Sequence, residues 1–227
     1  MQAFARLCRV RGLTLRSSGE PPAWHLAREA PWFIMRLAGQ APRRCLQLSS
    51  NVRPHMTRSA VVIRPAREAD AAAMLAIYKP YVEGSVISFE QEVPSVEEYA
   101  ARVRKYLAGW GGVVAEADGQ VVGYAYGSSH RERAAYKWSV ETTVYVEHSF
   151  HRGGIGRSLY SSLIPILVQA GYCNAYAGVA LPNPASVALH LAVGFTSIGT
   201  FPRVGYKFGR WRDVAWFHIP LREAPPQ

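Results

Sequence analysis

A glycine-rich junction near residue 150 limits the fold of this chain more than any other feature of its sequence. The β-like run ETTVYVEHS (141–149) is followed by FHRGGIGR (150–157) and then by the apolar helical pattern SLYSSLIPILVQAG (158–171). A strand that turns directly into a helix leaves the first N–H groups of that helix unpaired, beside the positive end of the helix dipole. The sequence therefore predicts an anion site at this turn, where Arg152 and Arg157 add positive charge.

The spacing of the glycines separates this turn from two common phosphate-binding motifs. Gly153, Gly154 and Gly156 have the order G-G-x-G without a following Gly-Lys-Ser/Thr, which excludes a P-loop. A dinucleotide fingerprint would need G-x-G-x-x-G near the first strand of a βαβ unit, whereas this turn follows the fourth predicted strand. Two interpretations remain: the turn holds a diphosphate on its amides, or it needs glycine only for its own backbone.

Regular secondary structure is predicted from residue 60 onward, in the order β-α-α-β-β-β-α-β-α-β-β. This order indicates a mixed sheet flanked by helices, an α/β or α+β domain. The helix after the glycine turn contains Pro165, which predicts a kink or a locally open turn. The signals that bound the elements are a capping box at Ser95 and Glu98, a hairpin turn at Asp118-Gly119, and stop glycines at Gly171 and Gly194.

Positive charge is concentrated at the N-terminus. The chain has 227 residues and a net charge of +10, but residues 1–55 alone hold nine arginines and two glutamates. We interpret residues 1–58 as a basic, Arg-rich extension that is poorly ordered or an artefact of the start site, with Met56 as the natural start; a transit peptide is the alternative. Residues 59–222 then form the domain and residues 223–227 a tail. Because this body is nearly balanced in charge, nucleic acid is not an expected partner.

The composition and the cysteine spacing argue against several other classes of protein. Hydrophobic residues make up 49% of the chain, enough for a real core, yet no apolar run reaches the length of a membrane span, so no membrane partner is expected. Cys8, Cys45 and Cys173 are odd in number and far apart, which fits neither a disulfide framework nor a metal site. A reducing compartment, the cytoplasm, is the predicted location.

Four segments, read together, carry a family resemblance. HRGGIGRSLY is similar to motif A of the GCN5-related N-acetyltransferases (GNAT), whose amides hold the pyrophosphate of acetyl-coenzyme A, although His151 stands where the motif has Gln or Arg. In the same order as here, WSVETTVYV, GVALPNPASVALHLAVGF and VGYKFGRWRDVAWF resemble segments of the phosphinothricin and methionine sulfoximine N-acetyltransferase group. The likeness runs from about Val61 to Leu221. It implies a GNAT fold, with a mostly antiparallel sheet and about four helices, acetyl-CoA as co-substrate, no metal, and a homodimer.

The resemblance places the catalytic glutamate of the group at Glu141. This residue is the only acidic side chain within the apolar alternation of its strand, so desolvation should raise its pKa and suit it to accept a proton from an amine. The alternative is a solvated glutamate on a strand face. His190, on an otherwise apolar helix, is implied to support the amine or the acetyl group, although a buried, hydrogen-bonded histidine would explain it equally well.

The resemblance also implies the cofactor-binding residues. Backbone groups of Val144, Tyr145 and Val146 would pair with the pantetheine arm like an added strand. Asn183, at the start of the last helix, would contact the cofactor or serve as a plain N-cap. The pyrophosphate turn would be formed by Arg152, Gly153, Gly154, Ile155, Gly156 and Arg157.

The sequence defines the acceptor-binding residues less clearly than the cofactor-binding residues. Arg131 and Arg133, just before the Glu141 strand, are the candidates for clamping an α-carboxylate, unless they are ordinary loop charges. Phe89 is implied to wall the pocket, and Lys207 and Trp211 are weaker candidates. The group often has Trp where this chain has His130, which bears on acceptor preference.

The predicted function is acetyl-CoA-dependent N-acetylation of the α-amino group of a small, phosphinothricin-like or methionine sulfoximine- or sulfone-like amino acid. Glu141 would act as general base in a direct sequential transfer, and the cellular purpose would be detoxification. Two alternatives remain: a GNAT enzyme that acetylates a protein, a peptide or another small amine, and a regulator that binds acetyl-CoA without turnover.

Overall fold

The computed structural model describes residues 60–226, and the predictions for residues 1–58 lie outside this range. The order of strands and helices is the predicted one. The strands are β1 (Val61–Pro65), β2 (Gly112–Ala117), β3 (Gln120–Ser129), β4 (Ser139–Val146), β5 (Asn174–Ala180), β6 (Thr196–Lys207) and β7 (Arg210–Pro220). The helices are α1 (Ala71–Gly84), α2 (Val96–Gly109), α3 (Ile155–Gln169) and α4 (Pro184–Val193).

The strands form one sheet of seven in the order β1-β2-β3-β4-β5-β7-β6. Every neighbouring pair is antiparallel except β4–β5, which is parallel because α3 crosses from the end of β4 back to the start of β5. The predicted fold class, a mixed and mostly antiparallel sheet with helices on its faces, is confirmed.

Two hydrophobic cores cover the two faces of the sheet. Alternation along β2 shows the division, because Val113 and Ala115 belong to one core and Val114 to the other. Helices α1 and α2 cover one face through a cluster rich in tyrosine. Helix α3 covers the other face, with Leu159, Leu163 and Leu167 fully buried; the burial of each such leucine contributes about 2 kcal/mol to stability.

The predicted helix and turn signals are confirmed. The Ser95 hydroxyl accepts from Glu98 N at 3.2 Å, and the Glu98 carboxylate accepts from Ser95 N at 2.8 Å. Gly171 and Gly194 end α3 and α4 with φ of 92° and 109°, in the left-handed region that favours glycine. Helix α3 runs unbroken through Pro165, and the missing proline N–H leaves the Ser161 carbonyl without its i+4 donor, which is a local opening rather than a break.

The parallel pair β4–β5 opens shortly after it forms. Its register joins only Ser139, Val140 and Glu141 to Asn174, Ala175 and Tyr176. Beyond Glu141 and Tyr176 the two strands separate, so the backbone of β4 from Thr142 onward faces a gap in the middle of the sheet.

Candidate active site

A cleft of about 100 Å³ occupies the gap between β4 and β5. Its walls come from both strands, from the first turns of α4, and from Ile87 in the loop between α1 and α2. The lining includes Val144 and Tyr145, two of the three β4 residues predicted to bind pantetheine. Strand backbone that lacks a neighbour offers N–H and C=O groups to a ligand of extended shape, so the cleft suits an added-strand mode of binding.

The glycine turn leads from the cleft into α3 and is open to solvent. Arg152, Gly153, Gly154 and Arg157 are exposed, while Ile155 turns into the core and is only 5% exposed. Gly154 is the N-cap of α3 with φ 81°, a left-handed conformation in which a side chain would be strained. The first-turn amides of α3 are therefore not covered by side chains of the turn itself, as an anion site requires.

The third predicted pantetheine residue, Val146, is partly engaged by the protein. Its carbonyl accepts a hydrogen bond from the Tyr81 hydroxyl at 2.5 Å and lies 2.9 Å from His151 Nε2. His151 also lies 2.9 Å from the Tyr81 hydroxyl and stacks on His148. The side chain at the first motif position, although exposed, thus contacts the end of β4.

Glu141 sits where β4 and β5 part, with its side chain 29% exposed. Burial raises the pKa of its carboxyl group, while the hydrogen bond from His130 and the charges of His130 and Arg131 partly oppose that rise. The raised pKa agrees with the prediction from the strand pattern. A base whose pKa moves toward the working pH takes a proton more effectively than an ordinary glutamate.

His130 is the principal partner of this carboxylate. Its Nδ1 lies 3.0 Å from Glu141 Oε1, and its ring stacks on Tyr176 with centroids 4.5 Å apart and planes 16° apart. Tyr176 lies opposite Glu141 in the β4–β5 register. The sequence singled out His130 only as a departure from a family pattern, because nothing local indicates its contact with a residue eleven positions away.

A second, wider cavity of about 650 Å³ lies beside the partners of Glu141. The segment after β3 lines it with Ser129, His130, Arg131, Glu132, Arg133 and Tyr136. Arg131 Nη1 lies 3.4 Å from Glu141 Oε1, and its guanidinium is 5.9 Å from the Trp216 ring. Both predicted clamp arginines therefore line this groove, with Arg131 turned toward the carboxylate.

Phe89 and Lys207 are arranged differently from the other candidates. Phe89 lines neither cavity but packs against Gly205 of β6. Lys207, a weaker pocket candidate from the sequence, is buried and donates to main-chain carbonyls, whereas Trp211 is half exposed on β7.

His190 lines the cleft, but both of its ring nitrogens are bonded within the protein. Nδ1 donates to the Ser186 carbonyl at 2.7 Å, so Nε2 is the acceptor of the Tyr160 hydroxyl at 2.9 Å. Thr142 Oγ1 lies 3.2 Å from the Tyr160 hydroxyl and so joins the network to β4. Burial lowers the pKa of His190, which keeps the ring neutral. The sequence did not indicate Tyr160, because it lies within the ordinary apolar pattern of α3.

Asn183 combines both of its predicted positions. Its Oδ1 accepts from Ser186 N at 3.1 Å, so it is the N-cap of α4, and it also lines the cleft. Within residues 60–226, no cluster of three His, Cys, Asp or Glu side chains could hold a metal ion. In the same range, no helix is both long and apolar enough to cross a membrane.

The fold and the site together have the features of a coenzyme-dependent acyltransferase: an open parallel strand pair, an exposed glycine turn at a helix start, and a carboxylate of raised pKa whose partners line a second cavity. Residues 63–216 match the sequence profile of the acetyltransferase (GNAT) domain. The chain therefore belongs to the GNAT acetyltransferase family.

Known relatives define the similarity within that family. The chain is 39% identical over 174 residues to a phosphinothricin N-acetyltransferase of Streptomyces viridochromogenes, an alignment that covers 75% of this chain and 93% of the relative. It is 36% identical over 165 residues to an L-methionine sulfoximine/L-methionine sulfone acetyltransferase of Salmonella typhimurium, covering 72% and 96%. The resemblance to this group of enzymes is confirmed.

A solved structure gives the same result. The phosphinothricin acetyltransferase of Sinorhizobium meliloti, determined in complex with acetyl-CoA, superimposes with a TM-score of 0.70 at 35% identity. The match covers 74% of this chain and 94% of that structure. The similarity thus extends over almost the whole of that structure.

Proposed function

We propose that this protein transfers the acetyl group of acetyl-CoA to the α-amino group of a small amino acid of the phosphinothricin, methionine sulfoximine or methionine sulfone type. The observation that carries the proposal is that Glu141 has contacts to the lining of two cavities. Its neighbour Thr142 lines the cleft in the sheet, and its partners His130 and Arg131 line the wider groove. A thioester in the cleft and an amine in the groove would meet at this carboxylate.

The coenzyme is assigned to the cleft and the glycine turn. Main-chain groups of Val144, Tyr145 and Val146 would hold the pantetheine arm, with Val146 offering its N–H because its carbonyl is engaged. The amides of residues 153–157 would hold the pyrophosphate, and Arg152 and Arg157 would add charge-assisted hydrogen bonds. The side chain of Asn183 would contact the coenzyme while still capping α4.

The transfer would be direct, without an acyl-enzyme. Glu141 takes one proton from the ammonium form of the acceptor, directly or through a water molecule, and the neutral nitrogen attacks the thioester carbonyl carbon. The C–S bond breaks as the C–N bond forms, so coenzyme A leaves as a thiolate that then takes up a proton. Holding the two reactants together supplies much of the rate acceleration.

We assign His190 a supporting part in this reaction. Because both ring nitrogens already have partners, His190 holds the Tyr160 hydroxyl beside Thr142 of β4 and does not exchange protons with the substrates. Arg131 and Arg133 would bind the carboxylate of the acceptor. Phe89 would affect acceptor binding indirectly, through the position of the loop between α1 and α2.

The proposal extends to the setting of the enzyme: a cytoplasmic homodimer that detoxifies amino-acid analogues. Half-exposed apolar side chains along β6 and the following turn favour a second copy as partner, among them Ile198, Phe201, Val204, Tyr206 and Phe208. The strongest competing function is acetylation of a protein or peptide amine, since the groove is open on one side.

The function is tested by thiol release from acetyl-CoA with a panel of amines and the full-length chain. We expect kcat/KM for at least one of phosphinothricin, methionine sulfoximine and methionine sulfone to exceed that for methionine by about 10²-fold or more, because a groove built to pair with a polar group rejects an analogue that lacks it. A peptide with a free N-terminus serves as the competing acceptor. Faster turnover of the peptide, or no turnover of any amine, would overturn the proposal.

The His130–Glu141 contact gives a pH signature. Since the hydrogen bond from His130 lowers the pKa of Glu141, replacing His130 by alanine should raise that pKa further. The base is active when deprotonated, so the acid limb of the profile of kcat/KM against pH is expected to move to higher pH. His218→Ala is the matched control, because His218 lies on the far side of Tyr176 and its Nε2 contacts Asn174, not Glu141. An unmoved acid limb would show that this contact does not tune the base.

A further inference from the structure

We propose that Lys207 is a positioning residue that anchors the loop between α1 and α2, residues 85–94, which supplies one wall of the cleft. The inference rests on the proposed function, because it assigns a part in the same reaction to a residue that contacts no substrate. It depends on two contacts that tie the end of β6 to this loop and on a third that ties the loop to α1.

The first contact is made by the ammonium group. Lys207 is 4% exposed, and its Nζ donates to the Val82 carbonyl at 2.6 Å and to the Ser88 carbonyl at 2.8 Å. Val82 lies in the last turn of α1, where unpaired carbonyls and the negative end of the helix dipole favour a cation. One side chain thus joins the end of α1 to the middle of the loop.

The second contact is steric. A Cβ added at Gly205, two residues before Lys207, would lie 2.4 Å from the Phe89 ring, so the ring occupies the space that any side chain at this position would need. Gly205 is outside the left-handed region, so its backbone does not require glycine. Glycine at position 205 therefore leaves the space that the Phe89 ring occupies.

The third contact holds the Ser88 side chain against α1. Ser88 is 5% exposed, and its hydroxyl lies 2.5 Å from the Tyr78 hydroxyl and accepts from Glu90 N at 3.1 Å. Ser88 is therefore held by α1 through its side chain and by β6 through its carbonyl.

Ile87, next to Ser88, lines the cleft beside Thr143 and Tyr145. A displacement at Ser88 moves Ile87 as well, and with it one wall of the cleft that, on the proposed function, holds the pantetheine arm and the thioester. Since the pyrophosphate turn lies on other elements, loss of the anchor should disturb the orientation of the thioester and lower kcat, while the pyrophosphate is still held.

The chemistry of Lys207 agrees with a fixed anchor. Burial lowers the pKa of the ammonium group, and the charge of Glu90 partly opposes that effect. Its two short bonds go to main-chain carbonyls, which do not titrate. A methionine of similar length would fill the space but could not donate to either carbonyl.

The test uses Lys207→Met and Gly205→Ala in the full-length chain. Lys207→Met is expected to lower kcat roughly tenfold with the KM for acetyl-CoA within about threefold of the parental value, because the wall at Ile87 no longer orients the thioester while the pyrophosphate turn still binds. Amide hydrogen exchange of residues 85–94 should accelerate by about tenfold or more, since the loop then opens without unfolding the domain. Gly205→Ala should lower kcat as well, by displacing the half-exposed Phe89.

Two control variants match these changes. Lys105→Met removes an exposed lysine of α2, and Gly109→Ala adds a methyl group where nothing lies within 4 Å. Both should retain the parental kcat, the parental KM values and the parental exchange of residues 85–94.

The outcomes separate this inference from the proposed function. Parental kcat and parental exchange in Lys207→Met would overturn the anchor, and so would a KM for acetyl-CoA raised by as large a factor as kcat is lowered. If Lys207→Met does not fold, a parental kcat in Gly205→Ala overturns it. If the parent acetylates no amino acid, the proposed function fails, and the exchange of residues 85–94 still decides whether Lys207 holds the loop.

Discussion

Glu141→Gln is expected to lower kcat by about 10²–10⁴-fold, the usual contribution of a positioned general base. Glutamine keeps the size and polarity of the side chain but cannot take up the proton of the ammonium group. The Kd of acetyl-CoA should stay at the parental value, because the cleft and the glycine turn are untouched. Thiol release gives kcat, and calorimetry with acetyl-CoA gives the Kd.

The difference in kcat between Glu141→Gln and the parent should become smaller as pH rises. A free amino group becomes neutral above its pKa, near 8 or higher, so the need for a protein base declines. Glu97→Gln is the matched control, since Glu97 is exposed in the first turn of α2. An unchanged kcat in Glu141→Gln at pH 7 would remove Glu141 from the mechanism, and loss of acetyl-CoA binding would reassign it to the coenzyme site.

The double variant Arg152→Ala/Arg157→Ala is expected to raise the KM for acetyl-CoA on the order of a hundredfold. A hydrogen bond to a charged group contributes about 1.5 kcal/mol or more, and two such bonds correspond to roughly two factors of ten in affinity. Once the coenzyme is bound, its thioester should lie as in the parent, so kcat should remain within about twofold. Initial rates at saturating acceptor measure both constants.

Salt provides an independent check on the two arginines. Both side chains are exposed, so their attraction to phosphate should weaken as ionic strength rises, and the parent should approach the double variant in high salt. Arg222→Ala removes an exposed arginine outside the turn and should leave the KM for acetyl-CoA unchanged. A parental KM in the double variant would mean that the helix amides bind the pyrophosphate unaided.

Local signals in the sequence were sufficient for the architecture. The capping box at Ser95, the Asp118-Gly119 turn and the glycine that ends α3 each depend on residues within a few positions of one another, and each is found where predicted. The position of Glu141 and the glycine turn also followed from local pattern. The family resemblance extended that reading to the clamp arginines and to the residues around α4.

Contacts between distant segments could not be predicted in the same way. The hydrogen bonds from Lys207 to Val82 and Ser88 span 125 and 119 positions, and a lysine near a β-hairpin turn normally indicates an exposed charge. The stacking of His130 on Tyr176 depends on how β3, β4 and β5 are arranged in the sheet. Phe89 was assigned to the pocket wall by resemblance, whereas its ring packs on Gly205, an approach that only the folded chain reveals.

The parting of β4 and β5 has a consequence for how such a protein can diverge. The gap comes from the course of the main chain, so exchanging individual side chains does not close it. On the proposed function, main-chain groups would hold the coenzyme there, and residues 129–136, a short surface segment that can mutate without disturbing the sheet, would select the amine. New specificities would then arise through changes in this segment, with the reaction centre unchanged.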